Sequence, residues 1–129
     1  MAKNIILWIL RIASAGLLIQ TLFFKFTGAE ESIYIFSTLG MEPWGRIGTG
    51  VMELIAALLI MIPSFTGIGS AMAIGLMSGA LFFHATQLGI EVQGDGGLLF
   101  SYALIVFISS AILLFFHFNQ ITKLLRIKF

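Results

Sequence analysis

The chain has 129 residues, 59% of them hydrophobic, with seven basic and six acidic side chains, no cysteine and a net charge of +1. Soluble domains average about 45–50% apolar and about 25% charged, so an ordinary water-soluble globule does not fit and a disordered chain is excluded. The lack of cysteine excludes disulfides, thiol catalysis and cysteine-ligated metals, and the near-neutral charge carries no footprint for nucleic acid.

A bilayer core about 30 Å thick needs about 20 apolar residues per helix. Four runs meet that length, over about 5–26, 44–62, 67–88 and 98–118. The expected fold is therefore all-α, an integral membrane four-helix bundle formed by one domain over residues 1–129. The first run contains Arg11 and Gln20. Ala13-Ser14-Ala15 looks like a signal-peptide cleavage site, but only Ile5–Leu10 is apolar ahead of it and Arg11 follows, so a retained span is expected.

Between the first two spans, Glu30-Glu31 followed by Ile33, Ile35, Phe36 and Leu39 predicts a short interfacial helix, stopped at Gly40. Pro43 suits the first turn of the second span. Tyr34 and Trp44 sit where amphipathic aromatics mark a membrane interface. Pro63–Thr66 is a tight turn between the second and third spans. The third span carries Gly67, Ala71, Gly75 and Gly79 at four-residue spacing, a small-residue stripe that predicts close helix packing within the chain or in a dimer. The loop from Gly89 to Gly97 is glycine-rich with Glu91 and Asp95. It reads as a solvated turn, with too few carboxylates for a closed cation cage.

Five basic residues (Lys3, Arg11, Lys123, Arg126 and Lys128) fall on the side of the two termini, and two (Lys25 and Arg46) fall on the other. This bias predicts both termini in the cytoplasm. Glu30, Glu31, Glu42, Glu91 and Asp95 then lie outside. Arg11 is expected to snorkel to the cytoplasmic face.

The polar residues inside the spans carry the functional signal, because an intramembrane ionisable group is costly and persists when it is paired or faces a cavity. With a rise of about 1.5 Å per residue, Glu53 lies about 13 Å below the outer surface and Gln20, His84 and Tyr102 about 6–8 Å below it. Lys25 stands at the outer boundary, and Gln87 near His84. Arg46 and Thr49 share a helical face with Glu53. Lys25, Gln20, Glu53, Arg46, His84, Gln87 and Tyr102 thus predict an outward-opening polar pocket that binds a small molecule or passes protons. His84 and His117 lie near opposite faces and cannot clamp one haem. No metal-ligand spacing, nucleophile elbow or phosphate-binding glycine loop is present.

These residues resemble the DoxX family of small bacterial membrane proteins. Leu22-Phe23-Phe24-Lys25-Phe26-Thr27-Gly28 is similar to that family's aromatic-x-Lys-Phe/Leu-x-Gly segment. Phe36-Ser37-Thr38-Leu39-Gly40-Met41-Glu42-Pro43 resembles its F-x-x-L-G run leading to proline. Gly50-Val51-Met52-Glu53-Leu54 resembles its glycine-x-x-Glu-Leu segment, with Pro63 closing that span and His84 where many members place a histidine. The resemblance covers about residues 10 to 118. Ahead of Lys25 this chain has larger residues where many members have glycine.

The resemblance implies a multi-pass protein of the bacterial inner membrane. It also implies association with a redox system, and a site at Lys25, Glu53 and His84 for a quinone or similar ligand. An accessory subunit rather than an enzyme in its own right is expected. The alternatives are a scaffold that packs against itself or a membrane or periplasmic redox partner, and an oligomeric small-solute transporter.

Overall fold

The computed structural model describes residues 2–92 and 94–128, the last five of these by their backbone alone. The described residues form helices and turns, with no strand. The elements are α1 (Ala2–Thr27), α2 (Glu30–Thr38), α3 (Trp44–Met61), α4 (Thr66–Phe83), α5 (Leu98–Phe116) and α6 (Phe118–Lys128). Among the described residues, four helical segments are long and apolar enough to cross a membrane: Ala2–Thr27, Trp44–Met61, Pro63–Leu88 and Leu98–Phe116. They match the four expected spans.

The chain reverses where glycine permits it. Gly28 and Gly40 both have positive φ, 69° and 72°. At the end of α1, Gly28 N–H donates to Lys25 O and Ala29 N–H to Phe24 O. At the end of α2, Gly40 donates to Ser37 O and Met41 to Phe36 O. Each is the pair of hydrogen bonds that closes a helix through a left-handed residue. Pro43, in cis linkage to Glu42, immediately precedes α3 and is not part of it. Ile62 is extended, and one tight turn, Pro63–Phe65, leads into α4.

Helix α1 packs on α3 and α5, and α4 packs on α3 and α5. Lipid tails are as apolar as leucine, so close packing rather than exclusion from water must hold such helices together. The interior is accordingly built from small residues: Ala15, Ala56, Ala57 and Ala73 are buried around Leu18, Ile60, Val106 and Leu113. Ile9, Phe23, Leu58, Phe82, Ile108 and Phe115 stay exposed on the outer faces. Helices α3 and α4 cross tightly at Gly69, where a Cβ would stand 2.6 Å from Ile60 N and 2.9 Å from Ala56 O.

Three features differ from the expectation. Residues after 117 form a separate helix, α6, because His117 leaves the helical conformation (φ −121°, ψ 19°). Gln120 ties α6 back: its Oε1 accepts from Gly67 N–H at 2.7 Å and its Nε2 donates to Pro63 O at 2.8 Å. The Arg126 and Lys128 side chains of the expected basic side lie outside the described residues. Arg11 is buried rather than extended to the surface. The close approaches on α4 occur at Gly67 and Gly69, whereas nothing comes within 4 Å of a Cβ placed at Gly75 or Gly79.

Candidate functional site, a cavity at the α2 end

Gly75 and Gly79 have another consequence. Together with Leu76 and Ala80 they form one wall of a cavity of about 470 Å³ between α1, α2, α3, α4 and α5. Leu17, Leu18, Phe24, Ile35, Phe36, Met77, Phe83 and Val106 supply more of its apolar lining. Ligand pockets typically enclose about 300–1,000 Å³ with a few placed polar groups.

Glu53 is 2% exposed. Its Oε1 lies 3.1 Å from Lys25 Nζ, and its Oε2 accepts from the same ammonium at 3.2 Å. The Thr21 hydroxyl, 3.3 Å from Oε2, shares its proton between that oxygen and Leu18 O at 3.0 Å. Lys25 reaches Glu53 because Thr21 and Lys25, four residues apart, lie on one face of α1. The charge of the buried carboxylate is thus matched by a half-buried ammonium.

His84 is 5% exposed and opens a wide π-turn, His84–Leu88, at the end of α4. Such turns occur often at functional sites. Its Nδ1 stands 2.9 Å from Gly89 O. A carbonyl only accepts, so Nδ1 carries the hydrogen, and in the neutral ring Nε2 presents a lone pair. Nε2 has no hydrogen-bond partner among the described residues. The ring meets that of Phe100 nearly at right angles, 5.7 Å between centroids.

Of the residues expected at the site, Lys25, Gln20, Glu53, His84 and Tyr102 line the cavity, as does Thr49. Gln20 is largely exposed at its edge. Gln87 is exposed and outside the lining. Arg46 is also outside it: its Nε donates to Glu42 Oε1 at 2.8 Å, and its NH1 donates to the Lys25 carbonyl. It therefore closes the end of α1 and positions Lys25 through the backbone.

Glu31, Asp95 and Thr21 line the cavity without having been expected there. The spacing of Thr21 to Lys25 was a usable signal. Glu31 and Asp95 are far apart in sequence and meet the cavity only through tertiary packing. Burial, and secondarily the charge of Asp95, push the Glu31 carboxyl above its ordinary range. Burial would also raise Asp95. Backbone N–H groups of Val92, Gly97, Leu99 and Leu98 outweigh this and hold it below the ordinary range. Asp95 accepts from Val92 at 3.1 Å, Gly97 at 2.8 Å and Leu99 at 3.3 Å, so its carboxylate organises the loop and caps the start of α5.

No group of three or more potential metal ligands occurs among the described residues. The arrangement offers a donor at Lys25, a lone pair at His84 Nε2, and at Tyr102 a hydroxyl that can do either. These suit a flat, apolar molecule with carbonyl or hydroxyl groups. Compared with protein-family models, curated proteins and solved structures, the chain matches none.

Proposed function

We propose that this chain is a DoxX-like protein of the bacterial inner membrane. In this reading it is a four-helix bundle with both termini cytoplasmic, an accessory subunit of a membrane redox system that holds a quinone-like ligand in the α2-end cavity. Four apolar helices of spanning length support the membrane reading. The basic residues at the end of the termini support the orientation.

The single observation that carries the ligand reading is the convergence on one apolar cavity of a buried carboxylate paired with an ammonium and a histidine with a spare nitrogen. A quinone-type head fits that donor set: Lys25 would bond one carbonyl oxygen, and His84 Nε2 would take or return a proton at a hydroxyl. Glu53 would hold Lys25 in place, and the apolar walls would exclude water. When bound, the ligand would supply the electron chemistry. The test is a titration of the purified protein with a short-chain benzoquinone. Saturable binding weakened at least tenfold in Lys25→Met and His84→Ala supports the reading. Equal binding by both variants and the wild type removes it.

A further inference from the structure

A second polar cluster lies where α1 begins and α5 finishes, remote from the cavity. Arg11 is 6% exposed there, and its partners are neutral. Its Nε donates to Thr66 Oγ1 at 3.2 Å, its NH2 donates to His117 Nε2 at 2.9 Å, and the Trp8 ring lies 4.5 Å from the guanidinium carbon. His117 Nδ1 is 2.8 Å from Leu113 O. A carbonyl only accepts and a guanidinium only donates, so His117 is the neutral Nδ1–H tautomer and brings no charge.

Arg11 also has no counter-charge among the described residues. The six acidic residues of the chain are Glu30, Glu31, Glu42, Glu53, Glu91 and Asp95. The two ion pairs among the described residues, Lys25–Glu53 and Arg46–Glu42, are both at the α2 end. Of five guanidinium N–H donors, Arg11 uses two, and the other three have no acceptor among the described residues. A buried charge without a partner is costly. A second cation stands about two turns earlier on α1, where Lys3 Nζ lies 4.9 Å over the Phe116 ring.

We infer that this cluster binds the phosphate of an anionic phospholipid, with Arg11 as the group that takes the phosphate oxygens. The planar guanidinium matches a phosphate through paired N–H bonds. A lipid fits better than free phosphate because Arg11 sits on a spanning helix against Trp8, whose ring is itself exposed and offers acyl chains an apolar surface beside the guanidinium. An anionic lipid fits better than a zwitterionic one because, among the described residues, that end has no carboxylate to receive an ammonium head. This site is independent of the proposed quinone cavity.

Native mass spectrometry of the detergent-purified protein, offered equimolar phosphatidylglycerol and phosphatidylcholine, tests the inference. The wild type should retain phosphatidylglycerol about fivefold over phosphatidylcholine, the ratio that about 1 kcal/mol per basic group near a membrane surface gives. Arg11→Gln should bring the ratio to about one, whereas Lys123→Gln, on the exposed surface of α6, should leave it unchanged. Inorganic phosphate should not raise the melting temperature of the wild type, and phosphatidylglycerol should. No preference in the wild type overturns the inference whether or not Arg11→Gln folds. So does a preference that survives in Arg11→Gln or is lost in Lys123→Gln. A melting shift with inorganic phosphate equal to that with phosphatidylglycerol would make this a free-anion site and overturn the lipid assignment.

Discussion

Lys25, in the last turn of α1, and Glu53, in the middle of α3, form an ion pair 3.1 Å long in which the carboxylate is almost wholly buried and the ammonium is less so, at 3% and 15% side-chain exposure. The asymmetry has a mechanical consequence. Lys25 has a flexible stem and can swing toward the surface if Glu53 is neutralised. Glu53 has no such freedom if Lys25 is removed.

Lys25→Met is therefore expected to destabilise the protein by about 3–5 kcal/mol, the cost of stranding one buried charge. Glu53→Gln should cost less, because the amide still accepts from Thr21. The double variant Lys25→Met/Glu53→Leu should recover most of the loss. Unfolding in mixed detergent micelles measures all three. Equal losses in the two single variants would contradict the asymmetry.

Gly69→Ala is expected to destabilise by about 1–3 kcal/mol, because its new methyl meets the α3 backbone and forces the helices apart. Gly75→Ala should be nearly neutral, since nothing lies within 4 Å of its Cβ position. Thermal unfolding of the two variants side by side separates them. A larger loss at Gly75 would show that its face packs against another chain.

The four spans were legible because length and hydropathy decide them, and α2 because its acidic start and glycine stop are local signals. Ion pairing between α1 and α3 was only partly legible: depth placed Lys25 and Glu53 in the same half, but not within bonding distance. Arg11 was misread because snorkelling is the default for a basic residue near a helix end. Thr66 and His117, 55 and 106 residues away, instead hold it inside. Gln87 was placed by its nearness to His84 in sequence, which gives no azimuth around the helix, and it falls outside the lining that Gln20 joins. Gly75 and Gly79 were read for packing, yet a missing side chain can equally leave space, and here it opens the cavity.

Two carboxyls outside the spans predict opposite pH trends. The raised Glu31 carboxyl holds its proton longer in the fold than in the unfolded chain. Stability should therefore fall as pH rises from the ordinary carboxylate range through the raised value, and Glu31→Gln should remove that fall. The lowered Asp95 carboxyl works the other way. Its contribution is present above the ordinary value and is lost as pH falls through the depressed one. Asp95→Asn should remove that loss and weaken the cap of α5. Melting temperature against pH for the wild type and both variants checks the signs.

Gln120→Ala removes both hydrogen bonds that tie α6 back, one to Pro63 O and one to Gly67 N–H in the first turn of α4, and is expected to cost about 1–3 kcal/mol. Hydrogen exchange at the Gly67 amide should speed up, while exchange in the middle of α5 should not change. Unchanged protection at Gly67 would mean that Gln120 does not hold the turn.

The central claim is that the α2-end cavity is a ligand site. The most direct measurement is an experimental structure of the protein in native lipid with a short-chain benzoquinone. The account predicts density between Lys25, His84 and Tyr102, within hydrogen-bond distance of Lys25 Nζ and His84 Nε2, and its absence in Gly79→Leu, which fills the wall. A cavity occupied only by acyl chain or collapsed side chains at saturating probe, in a protein that still keeps the Lys25–Glu53 pair, would contradict it.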